Sequence, residues 1–291
     1  MDNAALVNWG WVRTSHTGII PAFLTARTLM HKAYPQQLST DDVLFFLHIP
    51  KTAGTSLTTE LTQHWGAEHT LTPEQLNTAK AQPRERLESA RFVYGHFSRA
   101  VCRRRLPKAP NFTITFLRDP LQHYLSLYHH LARDPNFAYT TRITLGDRDM
   151  SHRISAVAQG GDIRQFLECP ESRLFSNFQT KYLVRGMRFQ PDVSERPELT
   201  ELAEVCLNEL GAFGITDRYA QSLELIRRGL GLEQPLAEQT HNQAPNKTNE
   251  VSLESSIEEE IAARTRYDQA LYNRALGIFD QRLRDLHQQA D

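Results

Sequence analysis

Short apolar strands alternating with helical stretches predict an α/β fold, a parallel β-sheet flanked by helices. Three observations carry that prediction. Val43-Leu44-Phe45-Phe46-Leu47 is an unbroken apolar run, the pattern of a strand buried on both faces of a parallel sheet. Phe112 to Leu117 is a second run, rich in β-branched and aromatic residues. After the first run, strand, tight loop and helix follow without a spacer: His48 to Ser56 forms the loop, and Leu57 to about His64 reads as helix.

The remaining elements follow in order. Residues 1–40 mix Trp9, Trp11, Phe23 and Tyr34 with Pro21 and Pro35 and show no period, which predicts an arm packing on a main domain of residues 41–291. Residues 70–90 are polar, carry Pro73 and Pro83, and read as one or two short surface helices. A strand is expected at Arg91–Tyr94, ahead of Gly95-His96. Arg118-Asp119-Pro120 stops the Phe112–Leu117 strand and starts a helix, with Asp119 as N-cap and Pro120 in the first turn. Leu121, Tyr124, Leu125, Tyr128 and Ala132 are spaced as the apolar face of that helix. Residues 133–190 are the least regular, with helical stretches at 163–167 and around 175–183, and their irregularity marks them as an acceptor-side insertion. Leu199–Leu210 reads as helix, Phe213–Ile215 as a short strand, Tyr219–Leu230 as helix, and Ser256 to about Leu286 as one long helical region.

Composition narrows the function classes. The chain has 291 residues, 40% hydrophobic and 23% charged, with a net charge of −1, so no whole-surface field draws in a nucleic acid. Any anion must be held by local donors. Cys102, Cys169 and Cys206 are widely spaced, with no C-x-x-C pair, which points to neither a disulfide framework nor a zinc site and suits a reducing cytosol. The longest apolar run is too short to cross a bilayer, and the N-terminus lacks the pattern of a secretory signal, so a soluble cytoplasmic location is expected. His129-His130 point apart on a helix and lack a third ligand, so no metal is expected.

The 48–56 loop carries the chemistry. A turn from a buried strand into a helix N-terminus presents unpaired N–H groups and the positive end of a helix dipole, which together bind phosphate-like anions. Lys51 and the hydroxyls of Thr52, Thr55 and Ser56 add donors, and Gly54 lets the backbone approach a ligand. The loop is not a Walker A sequence, which needs lysine directly after its second glycine; here lysine precedes glycine by three positions. The next strand ends in Arg118, a fixed cation suited to pairing with a phosphate directly. Lys51 and Arg118 both stand at C-terminal ends of strands, where open α/β sheets bind ligands.

These residues resemble a known family. His48-Ile-Pro-Lys-Thr-Ala-Gly-Thr-Ser56 is similar to the 5′-phosphosulfate loop of carbohydrate sulfotransferases related to heparan sulfate 2-O-sulfotransferase. Arg118-Asp-Pro followed by Ser126 resembles their 3′-phosphate motif, and Tyr94-Gly-His-Phe97 the segment with their catalytic histidine. Phe213 to Tyr219 with Ser222-Leu223 resembles a later family signature, and Asn246-Lys-Thr248 a last nucleotide-contacting loop. One departure is His123, where the family usually has arginine.

The resemblance implies the sulfotransferase fold, a P-loop-like parallel sheet, and 3′-phosphoadenosine-5′-phosphosulfate (PAPS) as donor, with PAP as product and no metal. It implies that Lys51, Thr52, Gly54, Thr55 and Ser56 hold the phosphosulfate, that Arg118 and Ser126 hold the 3′-phosphate, and that Lys247 and Thr248 close over the nucleotide. His96 is the expected general base, with Glu60 as the fallback, and Lys51 the cation facing the leaving oxygen. The acceptor is expected to be a hydroxyl, first of all on a carbohydrate. The absence of a membrane anchor, unlike the Golgi-resident relatives, suggests a bacterial enzyme. Two alternatives stand beside this: a divergent P-loop kinase or NTPase, and a module that binds nucleotide or glycan without catalysis.

Overall fold

The computed structural model describes residues 11–13, 19–21, 38–39, 42–134, 148–188, 198–236 and 253–288. The chain divides into two units, Met1–Ala33 and Tyr34–Asp291. In the first, β1 (Trp11–Arg13) pairs antiparallel with β2 (Ile19–Pro21). The division precedes residue 40, where the loss of periodicity suggested it. Leu38 already belongs to the larger unit, its N–H donating to the Gly229 carbonyl at 3.1 Å.

The larger unit forms where its apolar runs predict. β3 (Leu44–Leu47) is buried along its whole length and leads into α1 (Gly54–Trp65), which starts three residues before Leu57. A short strand that the polar composition of 70–90 hides, β4 (Thr70–Leu71), reaches the sheet edge. Next come α2 (Pro73–Asn77), opened by a capping box between Thr72 and Gln75, and α3 (Arg84–Glu88). β5 (Phe92–Gly95) and α4 (Arg99–Arg105) follow, then β6 (Phe112–Leu117). α5 (Pro120–Arg133) begins where Asp119 and Pro120 predict, the Asp119 carboxylate accepting the Gln122 N–H at 2.9 Å.

The buried face of α5 is rotated from the expected one. It comprises Pro120, His123, Tyr124, Leu127, Tyr128 and Leu131, while Leu121, Leu125 and Ala132 are only partly buried. Helices α6 (Arg148–Gly160), α7 (Ile163–Glu168) and α8 (Phe178–Arg188) fill the stretch expected to be irregular. Their Ile154, Phe166, Leu183 and Val184 are core residues, so this half of the presumed insertion is scaffold. α9 (Glu198–Asn208), β7 (Ala212–Ile215) and α10 (Tyr219–Gly229) complete the α/β pattern.

The C-terminal helical region is two helices, α11 (Ser255–Arg264) and α12 (Arg266–Gln288). The break at Thr265 has a partner elsewhere in the chain. Asn177 Oδ1 accepts the N–H groups of Tyr267 (2.8 Å) and Asp268 (3.4 Å), capping α12 from outside its own sequence. Asp268 returns the service to α8, its carboxylate accepting from Gln179 N at 3.2 Å, Thr180 N at 2.7 Å and Thr180 Oγ1 at 2.6 Å. α8 thus begins on a side chain of α12, and α12 on the side chain of the residue just before α8.

The sheet runs β4-β5-β3-β6-β7, with all pairs parallel. Alternation along each strand separates two cores. Phe45, Leu47, Val93, Leu117 and Phe213 face the layer that includes α5, α8, α9 and α12. Leu44, Phe46, Phe92, Ile114 and Phe116 face α1 and α10. The helix after β3 and the helix after the neighbouring β6 therefore leave the sheet toward opposite faces. Open α/β sheets bind ligands at the C-terminal ends of such strands.

Candidate active site

Three adjacent strands deliver the predicted residues to that edge of the sheet. β5 ends at Gly95 and presents His96, β3 runs into the Lys51 loop, and β6 ends at Leu117 and presents Arg118. With strands about 4.8 Å apart, His96 and Arg118 flank the loop from either side.

The loop backbone is unusual. Lys51 (φ 68°) and Ala53 (φ 65°) are both left-handed, though neither is glycine. Among the described residues no side chain caps the start of α1, and its first turn carries no acid. Alternation of left- and right-handed residues gathers successive N–H groups into an anion-binding concavity, with the helix dipole behind it. The opposite side of the loop is fully engaged. The His48 carbonyl accepts from His96 Nδ1 (2.6 Å), that of Ile49 from Thr52 Oγ1 (2.8 Å), that of Pro50 from His123 Nε2 (2.9 Å), and that of Lys51 from Arg118 Nη1 (3.2 Å). Four consecutive carbonyls are tied to four side chains.

His96 is held in a defined tautomer by this network. A carbonyl only accepts, so Nδ1 carries the proton and Nε2 is left as a basic lone pair. Burial lowers the His96 pKa, and the bond to the His48 carbonyl opposes that shift in part. The two imidazoles meet at a tilt of 36° with ring centroids 4.6 Å apart, and Phe46 stacks on His48 at 5.2 Å. Burial, then His96, then Lys51 push the His48 pKa down to about 3. Its ring also covers Gly54, where a Cβ would stand 2.2 Å from His48 Cδ2 and Nε2. Only glycine fits under that ring.

Lys51 and Arg118 are the strongest charges here. Burial holds Lys51 below the ordinary lysine pKa, with Arg133 and then Arg118 adding repulsion. Arg118 is likewise lowered by burial, against the attraction of Asp217 and Asp119. Its Nε is buried and makes no hydrogen bond among the described residues. Two half-buried cations with an unused donor suit a multiply charged anion.

The main chain of Arg118 is clamped. Gln179 Oε1 accepts the Arg118 N–H and Gln179 Nε2 donates to the Arg118 carbonyl, both at 2.8 Å. Gln179 sits in the first turn of α8, which Asp268 caps, so the arginine is fixed through two layers of buried polar contacts. On the other side, Asp217 accepts from the Asp119 N–H (3.4 Å) and the Tyr272 hydroxyl (3.0 Å). Thr216 Oγ1 donates to the Leu117 carbonyl at 3.1 Å.

The sulfotransferase family pattern matches residues 37–281, most of the chain and the whole of this site. The chain belongs to the sulfotransferase family. Among known proteins it is 27% identical over 227 residues to heparan-sulfate 6-O-sulfotransferase 1 of Gallus gallus, covering 66% of this chain and 55% of that one. It is 25% identical over 281 residues to the Cricetulus griseus protein of the same name, covering 83% and 68% respectively. Heparan-sulfate 6-O-sulfotransferase 2 of Mus musculus is 22% identical over 310 residues, covering 94% of this chain and 50% of its own length. The chain therefore spans little more than half of the first of these relatives. The motifs pointed to 2-O-sulfotransferase and these relatives are 6-O enzymes by name; both are heparan-sulfate sulfotransferases.

Within this chain, Lys51, Arg118 and His96 come together around one loop, and Gly54 heads α1 beneath His48. Thr55 is exposed and Ser56 buried in the first turn of the same helix. Thr52, expected on the phosphosulfate, is fully buried and its hydroxyl donates to Ile49. Ser126 lies on α5, in a stripe with His123, His130 and Arg133 at steps of three and four residues. Burial and Lys51 push the His130 pKa down to about 4, so the stripe borders the loop. Glu60, the fallback base, is buried on α1. Lys247 and Thr248 lie outside the described residues. His123, Asn177, Gln179 and Asp268 were not anticipated as parts of the site, whereas Asp217 lies within the Phe213–Tyr219 segment that resembles a family signature. Only the departure at His123 signalled one of them. Among the described residues no helix is long and apolar enough to cross a membrane.

Proposed function

We propose that this chain transfers a sulfuryl group from PAPS to a hydroxyl of a carbohydrate, releasing PAP. The observation that carries the reading is the His48 carbonyl's hold on His96. It fixes the proton on Nδ1 and leaves Nε2 unprotonated beside a loop built for an anion. The unused Nε of Arg118, the depressed pKa of Lys51 and the N–H groups at the start of α1 fit a nucleotide with phosphates at both ends. The donor supplies an activated sulfur bound to a good leaving oxygen. As the bond from sulfur to that oxygen breaks and the bond to the acceptor oxygen forms, His96 takes the acceptor's proton. Lys51 faces the charge growing on the leaving oxygen. The relatives' names, heparan-sulfate sulfotransferases, support a sugar hydroxyl as acceptor.

Labelled PAPS offered with a panel of glycans tests this directly, with PAP and Mg-ATP melts in parallel. Label transfer and PAP stabilisation in EDTA are expected; stabilisation by Mg-ATP alone would move the chain to the kinases. His96→Ala should lower kcat by about 10²–10⁴-fold, the usual contribution of a general base, while the variant still binds PAP. In the parent enzyme, burial of His96 places the acid limb of kcat/KM below the ordinary histidine value of 6.5. Activity falls as pH drops through that limb. Near-normal turnover in the alanine variant would remove His96 from the chemistry.

A further inference from the structure

We propose that His123 is a positioning residue for the nucleotide loop, its Nε2–H tying back the Pro50 carbonyl so that the loop's N–H groups stay turned toward the anion. The inference rests on the nucleotide-binding reading above and adds a residue to it. His123 is 1% exposed and sits on the buried side of α5. Its Nε2 lies 2.9 Å from the Pro50 oxygen. Because a carbonyl cannot donate, that nitrogen carries the proton. The ring lies against Phe178, with centroids 5.8 Å apart.

The location gives this bond its meaning. Pro50 lacks an N–H and precedes left-handed Lys51, so the loop reverses there without a backbone hydrogen bond from Pro50 itself. The Pro50 carbonyl is the one of the four consecutive carbonyls tied by a residue of α5, the helix that starts just after Arg118. Arg118 ties the next carbonyl, that of Lys51. The corner between β6 and α5 thus grips two successive peptide units of the loop. An untied carbonyl would be free to rotate its negative end toward the bound phosphate, where it repels. His123 also lies near both cations. Burial depresses its pKa to about 4 with Arg118 and Lys51 contributing, so the ring stays neutral and adds no third positive charge. Where the family usually carries arginine, this chain has a neutral donor that serves the loop.

Three variants separate this role from packing. His123→Gln places an amide N–H near the position of Nε2, His123→Asn is polar but too short to reach, and His123→Leu fills the space without a donor. PAP binding by calorimetry on all three, with the parent as reference and ligand-free melting as the folding control, reads the effect. The glutamine variant should bind PAP within about threefold of the parent. The asparagine and leucine variants should lose at least tenfold in PAP affinity and raise the KM for PAPS more than they lower kcat. If the parent fails to bind PAP, the functional reading fails and His123 is not at issue. If the parent binds and leucine or asparagine binds as tightly, the positioning role is refuted. It is refuted too if glutamine is as weak as asparagine. Should leucine fail to fold, the asparagine–glutamine comparison decides.

Discussion

Replacing Gln179 with leucine tests how Arg118 is held. Gln179 is 1% exposed, and its amide makes one bond to the Arg118 N–H and one to the Arg118 carbonyl, both 2.8 Å. Leucine fills similar space but leaves both main-chain groups without those partners. A buried polar group stripped of its partner costs about 1–3 kcal/mol. Two such groups at the end of a strand, with some relaxation and water entry, should cost about 3 kcal/mol together. For a domain of this size, each kcal/mol moves the melting midpoint by roughly 2 °C, so the variant should melt about 6 °C lower.

The same change loosens the guanidinium that is proposed to hold the 3′-phosphate. Charge-assisted hydrogen bonds are worth about 1.5–3 kcal/mol, and losing part of that should weaken PAP binding by about tenfold. Gln179→Glu offers a graded comparison. It keeps an acceptor for the Arg118 N–H but sets a carboxylate against the carbonyl, so it should fall at least as far in stability near neutral pH. Differential scanning fluorimetry with and without PAP measures both effects. A leucine variant melting within a degree of the parent, with unchanged PAP affinity, would show that the clamp holds nothing.

Two further outcomes follow from the same geometry. Gly54→Ala sets a methyl 2.2 Å from the His48 ring, which must move and lose its ring contact with His96; turnover should fall at least a hundredfold while far-ultraviolet dichroism is unchanged, and a fully active variant would refute the fit. Folding raises the Asp268 pKa from 3.8 to about 6, chiefly by burial, so between those values the native state keeps a proton that the unfolded chain has released. Asp268 therefore contributes a loss of about 3 kcal/mol as pH rises from about 4 to about 6. Set against it is the opposite contribution of His48, His123 and His130, whose depressed pKa values make stability rise over the same range, so the Asp268 part is read as the difference between the parent and Asp268→Asn. Urea denaturation across that range measures it, and a slope unchanged in Asp268→Asn would exclude this carboxyl.

What was legible in the sequence was local. Buried parallel strands need unbroken apolar runs, so β3, β6 and β7 stood out. Asp119-Pro120 announced α5 because a cap and a first-turn proline act on their nearest neighbours. The loop's cations were visible because charge at the end of an apolar strand has few structural uses. The missed features are bonds between distant segments. β4 has two residues, too few to show a period. The Gln179 clamp spans 61 positions and the Asn177 cap on α12 spans 90. The face of α5 was misjudged because apolarity was taken as the only reason to be buried, whereas His123 is buried to donate a hydrogen bond. At Thr52 a hydroxyl beside an anion loop suggested a ligand contact, and in the structure that hydroxyl donates to the Ile49 carbonyl.

That reassignment divides the site into groups that meet the anion and groups that shape what meets it. Holding non-glycine residues in the left-handed region costs about 1–2 kcal/mol each, and the loop does so twice, at Lys51 and Ala53. Such a conformation persists only when its surroundings over-determine it. The four tied carbonyls supply that constraint, and two of the ties come from His96 and Arg118, which are also the proposed base and phosphate ligand. Shaping and chemistry therefore share side chains. An alanine at His96 or Arg118 removes a loop tie along with its charge or base. The positions that separate the two roles are those that only tie: Thr52 and His123 on the loop, Gln179 behind Arg118. Losses at these three should appear first in donor binding, whereas loss of the base at His96 should appear first in kcat.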